Sequence, residues 1–252
     1  EIPRIFVSVF ECTVQMIQAN FEDYPEHRVN LFNLLRAMNA HCFKAFFLLP
    51  PEKFKLAIDS IVWAFKHTLK NIADTGLYIL QELWKNIETS EAALPFYKSH
   101  LLSLLQDLLV VLTDTFHKSS FGLQATIIMH IFHTVNSGRV TIALWDQNTC
   151  QYPNNQEFLL AYVINLIGSA FPNLTQQQVH SFATGCFMHC ENFAKFKQHL
   201  RDFLVNMKEF GTDNTDLYLE ETEAQQKEVQ EKLHTIPGMA KPIDLDIKAM
   251  ES

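Results

Sequence analysis

The densest set of metal-capable side chains in this chain is Cys186, His189 and Cys190, with His180 earlier on the same segment. On a helix, positions 186, 189 and 190 share a face, and thiolate with imidazole suits zinc. The same stretch carries Phe182 and Phe187, and free cysteine is a common core residue. The residues therefore favour packing over ligation. His130 and His133 could chelate at i and i+3, but they alternate with Ile127, Ile131 and Phe132, which reads as a core or groove. The carboxylates Asp59, Asp74 and Asp107 fall on predicted solvent faces or near helix starts. None shows the burial or the charged neighbour that would prepare it for catalysis. Asp74-Thr-Gly76 reads as a small-residue contact between helices. The serine-hydrolase elbow, the phosphate loop, the dinucleotide fingerprint and HExxH are absent. The chain is predicted to have no catalytic, metal or cofactor site.

The elements that carry these residues are helices. All nine prolines sit where a helix could start or stop, because proline lacks the amide hydrogen that a helix interior needs. Between them, apolar residues recur at three and four. Helix one is predicted from Pro3 to Ala19 with Ile5, Val9, Cys12, Met16 and Ile17 inward. Helix two carries Leu31, Leu34, Leu35, Met38 and Cys42 until Pro50-Pro51. Helix three buries Phe54, Ile58, Ile61, Val62 and Phe65 and leaves Lys53, Lys55, Asp59 and Lys66 wet. Helix four spans about 71–87, with Leu77, Leu80 and Trp84 inward. Helix five follows Ser90 and Pro95 and buries Tyr97, Leu101, Leu104, Leu105, Leu108 and Leu112. Helix six lies at about 121–135. Residues 136–155 read as a loop, in which Val140 to Trp145 is a helical turn or an extended piece packed on the core. Helix seven covers 156–170. Helix eight starts at a Thr175/Gln178 capping box, and helix nine begins near Phe193 and closes at Gly211.

Composition bounds the function. The chain has 252 residues and a net charge of −8, which disfavours nucleic acid as the main partner. Glycine is scarce, at seven, which argues against a β-rich fold. The 21 phenylalanines read as wedges between helix layers rather than a base-stacking platform, and Trp63, Trp84 and Trp145 are read the same way. Five cysteines without a disulfide pattern predict a reducing compartment. The Asn173-Leu-Thr175 triplet is then a chance match. No apolar run approaches a membrane span, and no signal peptide precedes the first helix. The chain opens Glu-Ile-Pro without Met, which leads us to expect a piece of a longer protein.

The first helices of successive pairs start near 3, 51, 93, 155 and 192. This spacing centres on the ~40–47 residues of HEAT and armadillo repeats, with one interval lengthened by the 136–155 loop. The fold class is therefore all-α, an α-solenoid of about five HEAT repeats over residues 1–211. Residues 212–234 form a separate last helix and 235–252 a flexible tail. The last helix, about Thr215 to His234, has a thin apolar stripe and many acids: Asp216, Glu220, Glu221, Glu223, Glu228 and Glu231. It reads either as a solvated cap or as a mobile acidic regulatory helix that docks elsewhere on a longer protein.

Several runs are distinctive: Phe10-Glu-Cys-Thr13, Phe21-Glu-Asp-Tyr-Pro-Glu-His-Arg28, His41-Cys-Phe43, Phe54-Lys-Leu56, Trp63-Ala-Phe-Lys-His67, Ala73-Asp-Thr-Gly-Leu77, Ala170-Phe-Pro172 and His199-Leu-Arg-Asp-Phe-Leu-Val205 with Lys208-Glu-Phe210. Their order resembles the C-terminal region of the exportin-1 family, the nuclear export receptors of the importin-β (karyopherin) superfamily. The likeness is dense over 1–112, patchy over 113–190 and dense again at 193–210.

The resemblance implies a ring of about twenty HEAT repeats, of which this chain holds roughly the last five. It implies carriage of proteins with leucine-rich export signals, bound together with Ran-GTP, by a receptor that meets nucleoporins and shuttles between nucleus and cytoplasm. It also implies an arch that helps enclose Ran, and a last helix, at 215–234, that weakens cargo binding when Ran is absent. The cargo groove and its reactive cysteine lie in earlier repeats, so none of the five cysteines inherits that role. Residues 143–155 depart from the family pattern, and the tail 241–252 is mixed in charge where the family ends acidic. Rival readings are a HEAT-repeat scaffold or adaptor, and a helical enzyme using His180, Cys186 and His189.

Overall fold

A computed structural model of the chain describes residues 2–19, 24–207 and 215–218, and divides into two compact units, Glu1–Thr212 and Asp213–Ser252. In the first unit the helices are α1 (Ile2–Ala19), α2 (Pro25–His41), α3 (Pro51–Phe65), α4 (Lys70–Glu88), α5 (Ala93–Leu112), α6 (Phe121–Asn136), α7 (Asn155–Ala170), α8 (Gln176–His189) and α9 (Phe193–Asn206). Two 3-10 turns, Phe43–Leu48 and Thr115–Ser120, interrupt the connections before α3 and α6.

The ends of these helices are set by local chemistry. Pro25 and Pro51 occupy first-turn positions of α2 and α3, where a missing amide hydrogen costs nothing. Asn154 and Asn192 cap α7 and α9 by accepting from the Glu157 and Lys195 amides at 2.8 and 3.0 Å. Thr175 and Gln178 form the reciprocal capping box of α8. Gly138, at φ +73°, supplies the left-handed residue that ends α6.

Consecutive helices pair as α1–α2, α3–α4, α5–α6 and α7–α8. Even-numbered helices then stack on one another, α2 on α4, α4 on α6 and α6 on α8, while α1 meets α3 and α3 meets α5. The described part of the array is thus four hairpins and a ninth helix. α9 packs on both α8 and α6.

α4 is the centre of this stack. Ile72, Leu77, Ile79, Leu80, Leu83, Trp84 and Ile87 are all buried. Each large apolar side chain contributes about 1.5–3 kcal/mol, so this set far outweighs the surface ion pairs Lys55–Asp59 and Lys70–Asp74, each worth about 0–1 kcal/mol. Gly76 lets α4 approach α3: an added Cβ would lie 2.6 Å from the Phe65 amide nitrogen and 2.8 Å from Ala64 Cβ. That is the contact expected of Asp74-Thr-Gly76.

Polar ties fix the register of the stack. The Asn39 amide, fully buried, donates to the Ile79 carbonyl (3.2 Å), and Asn86 donates back to the Asn39 carbonyl (2.9 Å), joining α2 to α4. Trp84 Nε1 donates to Thr134 Oγ1 at 3.1 Å, joining α4 to α6. A buried amide left unpaired costs about 1–3 kcal/mol, so a one-residue slip of either helix is excluded.

Several expectations are corrected. α1 buries Phe6, Phe10, Val14 and Ile17, whereas Val9 and Cys12 face solvent. The Phe6 ring stacks on Phe10 (4.2 Å between centroids) and meets Phe46 edge-on, so the 3-10 turn at 43–48 selects the buried face. Lys53 is half-buried and paired with Glu11 rather than wet. α9 ends at Asn206, because Met207 turns to extended backbone and buries its side chain; Gly211 lies outside the described residues. Of the two readings of Val140 to Trp145 the packed, non-helical piece holds, and it rests on the core through Val140 and Leu144.

Replacing Gly76 by Ala should cost about 1–3 kcal/mol by forcing α3 and α4 apart. The matched change Gly168→Ala in α7, where nothing lies within 4 Å of the added methyl, should instead stabilise by about 0.5–1 kcal/mol. Urea unfolding of the two variants checks the contrast.

Candidate interaction surface

The metal-capable residues of 180–190 do not converge. Cys186 is fully buried, and burial pushes its thiol well above the usual range. Cys190 Sγ donates to the Phe187 carbonyl at 3.1 Å. His180 is exposed and lies 3.4 Å from Thr184 Oγ1. The neighbour of Cys186 on α8, Gly185, faces the His199 ring of α9 instead, where an added Cβ would sit 2.2 Å from the imidazole. Among the described residues no group of three or more His, Cys, Asp or Glu could hold a metal ion. His130 and His133 are half-buried on α6.

Two of the three carboxylates join elements. Asp107 pairs with Lys66, linking α5 to the end of α3. Asp74 accepts from Ser120 Oγ at 2.5 Å, linking α4 to the 115–120 turn. Asp59 pairs with Lys55 within α3. The tie that sequence reasoning missed is His117, 5% exposed, whose ring contacts Asp114 Oδ2 (3.0 Å) and the His67 carbonyl (3.2 Å). Its position in a short 3-10 turn gave no periodic signal. Beside it Phe116, 76% exposed, and Leu69 present apolar surface at the same end of the array.

Of the predicted regulatory residues, Asp216 is exposed in a 3-10 turn at Thr215–Tyr218, not in the first turn of an α-helix as expected. Glu220, Glu221, Glu223, Glu228 and Glu231 lie outside the described residues.

The long α6–α7 loop, residues 137–154, is held as a shaped element rather than a slack tether. Asn155, the first residue of α7, donates to the carbonyls of Val140 (2.7 Å) and Ile142 (2.8 Å) and accepts from the Leu144 amide (2.9 Å). Lys98 of α5 donates to the carbonyls of Ala143 (2.6 Å) and Trp145 (2.9 Å). Trp145, Tyr152 and Phe158 pack ring against ring at 5.2–5.7 Å. Clefts of about 610 and 770 Å³ flank the loop, the first lined by Trp145, Tyr152 and Pro153 and the second by Lys98 and Asp146. A loop longer than about 12–15 residues is uncommon in a compact array, and this one is given a fixed shape by side chains of two helices. Its Asn155 anchor was the missed signal: an Asn directly after Pro-Asn reads as loop, yet it serves as a clamp.

Four half-buried histidines share one electrostatic property. His67, His100, His130 and His199 all sit below the ordinary imidazole range, in each case chiefly because burial disfavours the cation. Arg28 adds to the effect at His67, and Lys85 at His130. No helix among the described residues is long and apolar enough to cross a membrane.

Residues 1–212 match the family model described as CRM1 C terminal. The chain is 44% identical to Protein EXPORTIN 1B of Arabidopsis thaliana over 248 residues, 46% identical to Exportin-1 of Schizosaccharomyces pombe over 254 and 45% identical to Exportin-1 of Drosophila melanogaster over 251. Each alignment covers 97% of this chain and 23% of the relative, so the chain spans about a quarter of the length of these proteins.

Asn155→Ala should free the loop without unfolding the array. Amide exchange at Leu144 should quicken at least about tenfold, an effect of about 1–3 kcal/mol confined to 137–154. Acidification should destabilise the whole unit. A histidine whose folded proton affinity is depressed is neutral in both states above 6.5; below it the unfolded chain takes protons that the folded chain refuses. The urea midpoint should therefore fall from about pH 7.5 to about pH 5.5, and His130→Gln should flatten that fall.

Proposed function

The chain belongs to the CRM1 C-terminal family of exportin-1 proteins, and from this we propose that it forms the C-terminal arch of a nuclear export receptor. The receptor carries proteins bearing leucine-rich export signals out of the nucleus together with Ran-GTP, meets nucleoporins on its way through the pore, and shuttles between nucleus and cytoplasm. What supports this reading is similarity that runs along nearly the whole chain at well over a third identity to exportin-1 proteins of plant, yeast and fly.

The chain works by binding, not by catalysis; hydrolysis of GTP belongs to Ran. The physical mechanism is linkage. Cargo and Ran-GTP each favour one arrangement of the stacked hairpins, so each raises the affinity for the other by the same factor. A stack of this kind suits the task, because its hairpins are joined side by side through α2, α4, α6 and α8, and small adjustments at each junction add along the array. Within this fragment, residues 1–211 form the repeat array and part of the surface that encloses Ran. Residues 212–234, with Asp216, Glu220, Glu221, Glu223, Glu228 and Glu231, form a regulatory segment that lowers cargo affinity when Ran is absent. Residues 235–252 follow it as a tail.

Removing residues 215–252 from the complete receptor should tighten binding of an export-signal peptide in the absence of Ran-GTP and narrow the gap between affinities with and without it. Fluorescence polarisation of a labelled peptide reads both; an unchanged affinity without Ran would remove the regulatory role. A receptor that binds neither the peptide nor Ran-GTP cooperatively would instead be a scaffold.

A further inference from the structure

The cleft between α8 and α9 has a composition that the transport reading does not use. It has a volume of about 320 Å³ and is lined by Ser181 and Phe182 of α8 and by His199, Asp202, Phe203 and Asn206 of α9, among others. Phe182 and Phe203 stack at 4.0 Å between centroids with 27° between their planes, and Phe203 remains half-exposed. His199 lies stacked beside Phe182 at 5.9 Å. Its Nε2 lies 2.9 Å from the Phe182 carbonyl, which fixes the hydrogen on that nitrogen and leaves Nδ1 as an acceptor. The ring is wedged over Gly185, so this orientation is set by packing. Burial lowers the proton affinity of this imidazole below the ordinary range. Asp202 is exposed, and Gln198 Nε2 donates to one of its carboxylate oxygens at 2.7 Å, which holds the group in place.

The described lining thus offers an aromatic pair and a carboxylate, and it contains no Lys or Arg. A planar cation with several N–H donors matches both: it can lie against an aromatic face and pair with a carboxylate. We propose that this cleft is a docking site for an arginine side chain of a partner polypeptide. The amide and hydroxyl groups of Gln177, Ser181 and Asn206 on its rim suit the peptide backbone that flanks such a side chain. The site stands apart from the transport reading, since it requires neither cargo nor nucleotide.

The test is titration of the whole chain with acetyl-Gly-Arg-Gly-amide and with its citrulline counterpart, followed by NMR at the His199 ring. Saturable binding of the arginine peptide is expected, at least about fivefold tighter than the neutral citrulline isostere. Asp202→Asn should weaken it at least about threefold, and Phe203→Leu by a similar factor through loss of the aromatic face. Asp59→Asn, on a distant helix, should leave it unchanged. Because Phe203 is partly a packing residue, the surface change Asp202→Asn decides the matter if the Phe203 variant does not fold. Equal binding of the citrulline peptide, indifference to Asp202→Asn, or an equal loss on Asp59→Asn overturns the proposal in favour of diffuse attraction to an acidic protein. Free arginine binding as tightly as the peptide would make the occupant a small molecule and overturn the polypeptide assignment.

Discussion

Every hairpin in this array is too thin to cover its own apolar surface, and that deficit organises the rest. α4 shows it most plainly. Its buried residues point in more directions than its own partner α3 can cover, and the remainder is covered by α2, α5 and α6. Stability in such an array is a sum of junctions rather than a property of one centre. Junctions of apolar side chains alone would tolerate sliding. The Asn39–Asn86 and Trp84–Thr134 bonds oppose it, because an unpaired polar group in the interior costs about 1–3 kcal/mol that a slipped apolar junction does not return by itself. Apolar area therefore supplies the energy, and a few buried amides and an indole supply the alignment.

The same division explains where recognition can occur. Faces consumed by junctions cannot change without loss of the fold. What remains are the ends of hairpins and the grooves between them. The 137–154 loop is tied to α5 and α7 by Lys98 and Asn155, so its shape is inherited from the array. The α8–α9 cleft is likewise built by two packed helices and a glycine contact. Neither surface needs to be ordered by a partner, which reduces the entropic cost of binding.

Much of the helical order was legible because proline and capping residues punctuate a regular apolar period. Pro25, Pro51, Thr175 with Gln178, and Gly76 all act as their residue types predict. The face of α1 was not legible. Two stripes on that helix satisfy the same period, and the choice between them depends on Phe46, which belongs to a turn too short to carry a period of its own. The joining roles of His117, Asp107 and Asn155 were also hidden, since a polar residue that bonds across some 11 to 50 positions looks like any surface residue along the chain. The membership of the family was legible for a different reason: long unbroken runs are specific where a repeat period is shared by many scaffolds.

α9 departs from the repeat in a way that shapes how the array comes apart. It reaches beyond α8 to α6, where Arg201 lies over the Phe121 ring at 5.7 Å and Phe196 approaches Phe132. In a repeat whose units touch only adjacent units, each junction opens on its own. Here α6, α8 and α9 brace one another, so this part of the array must let go as a block.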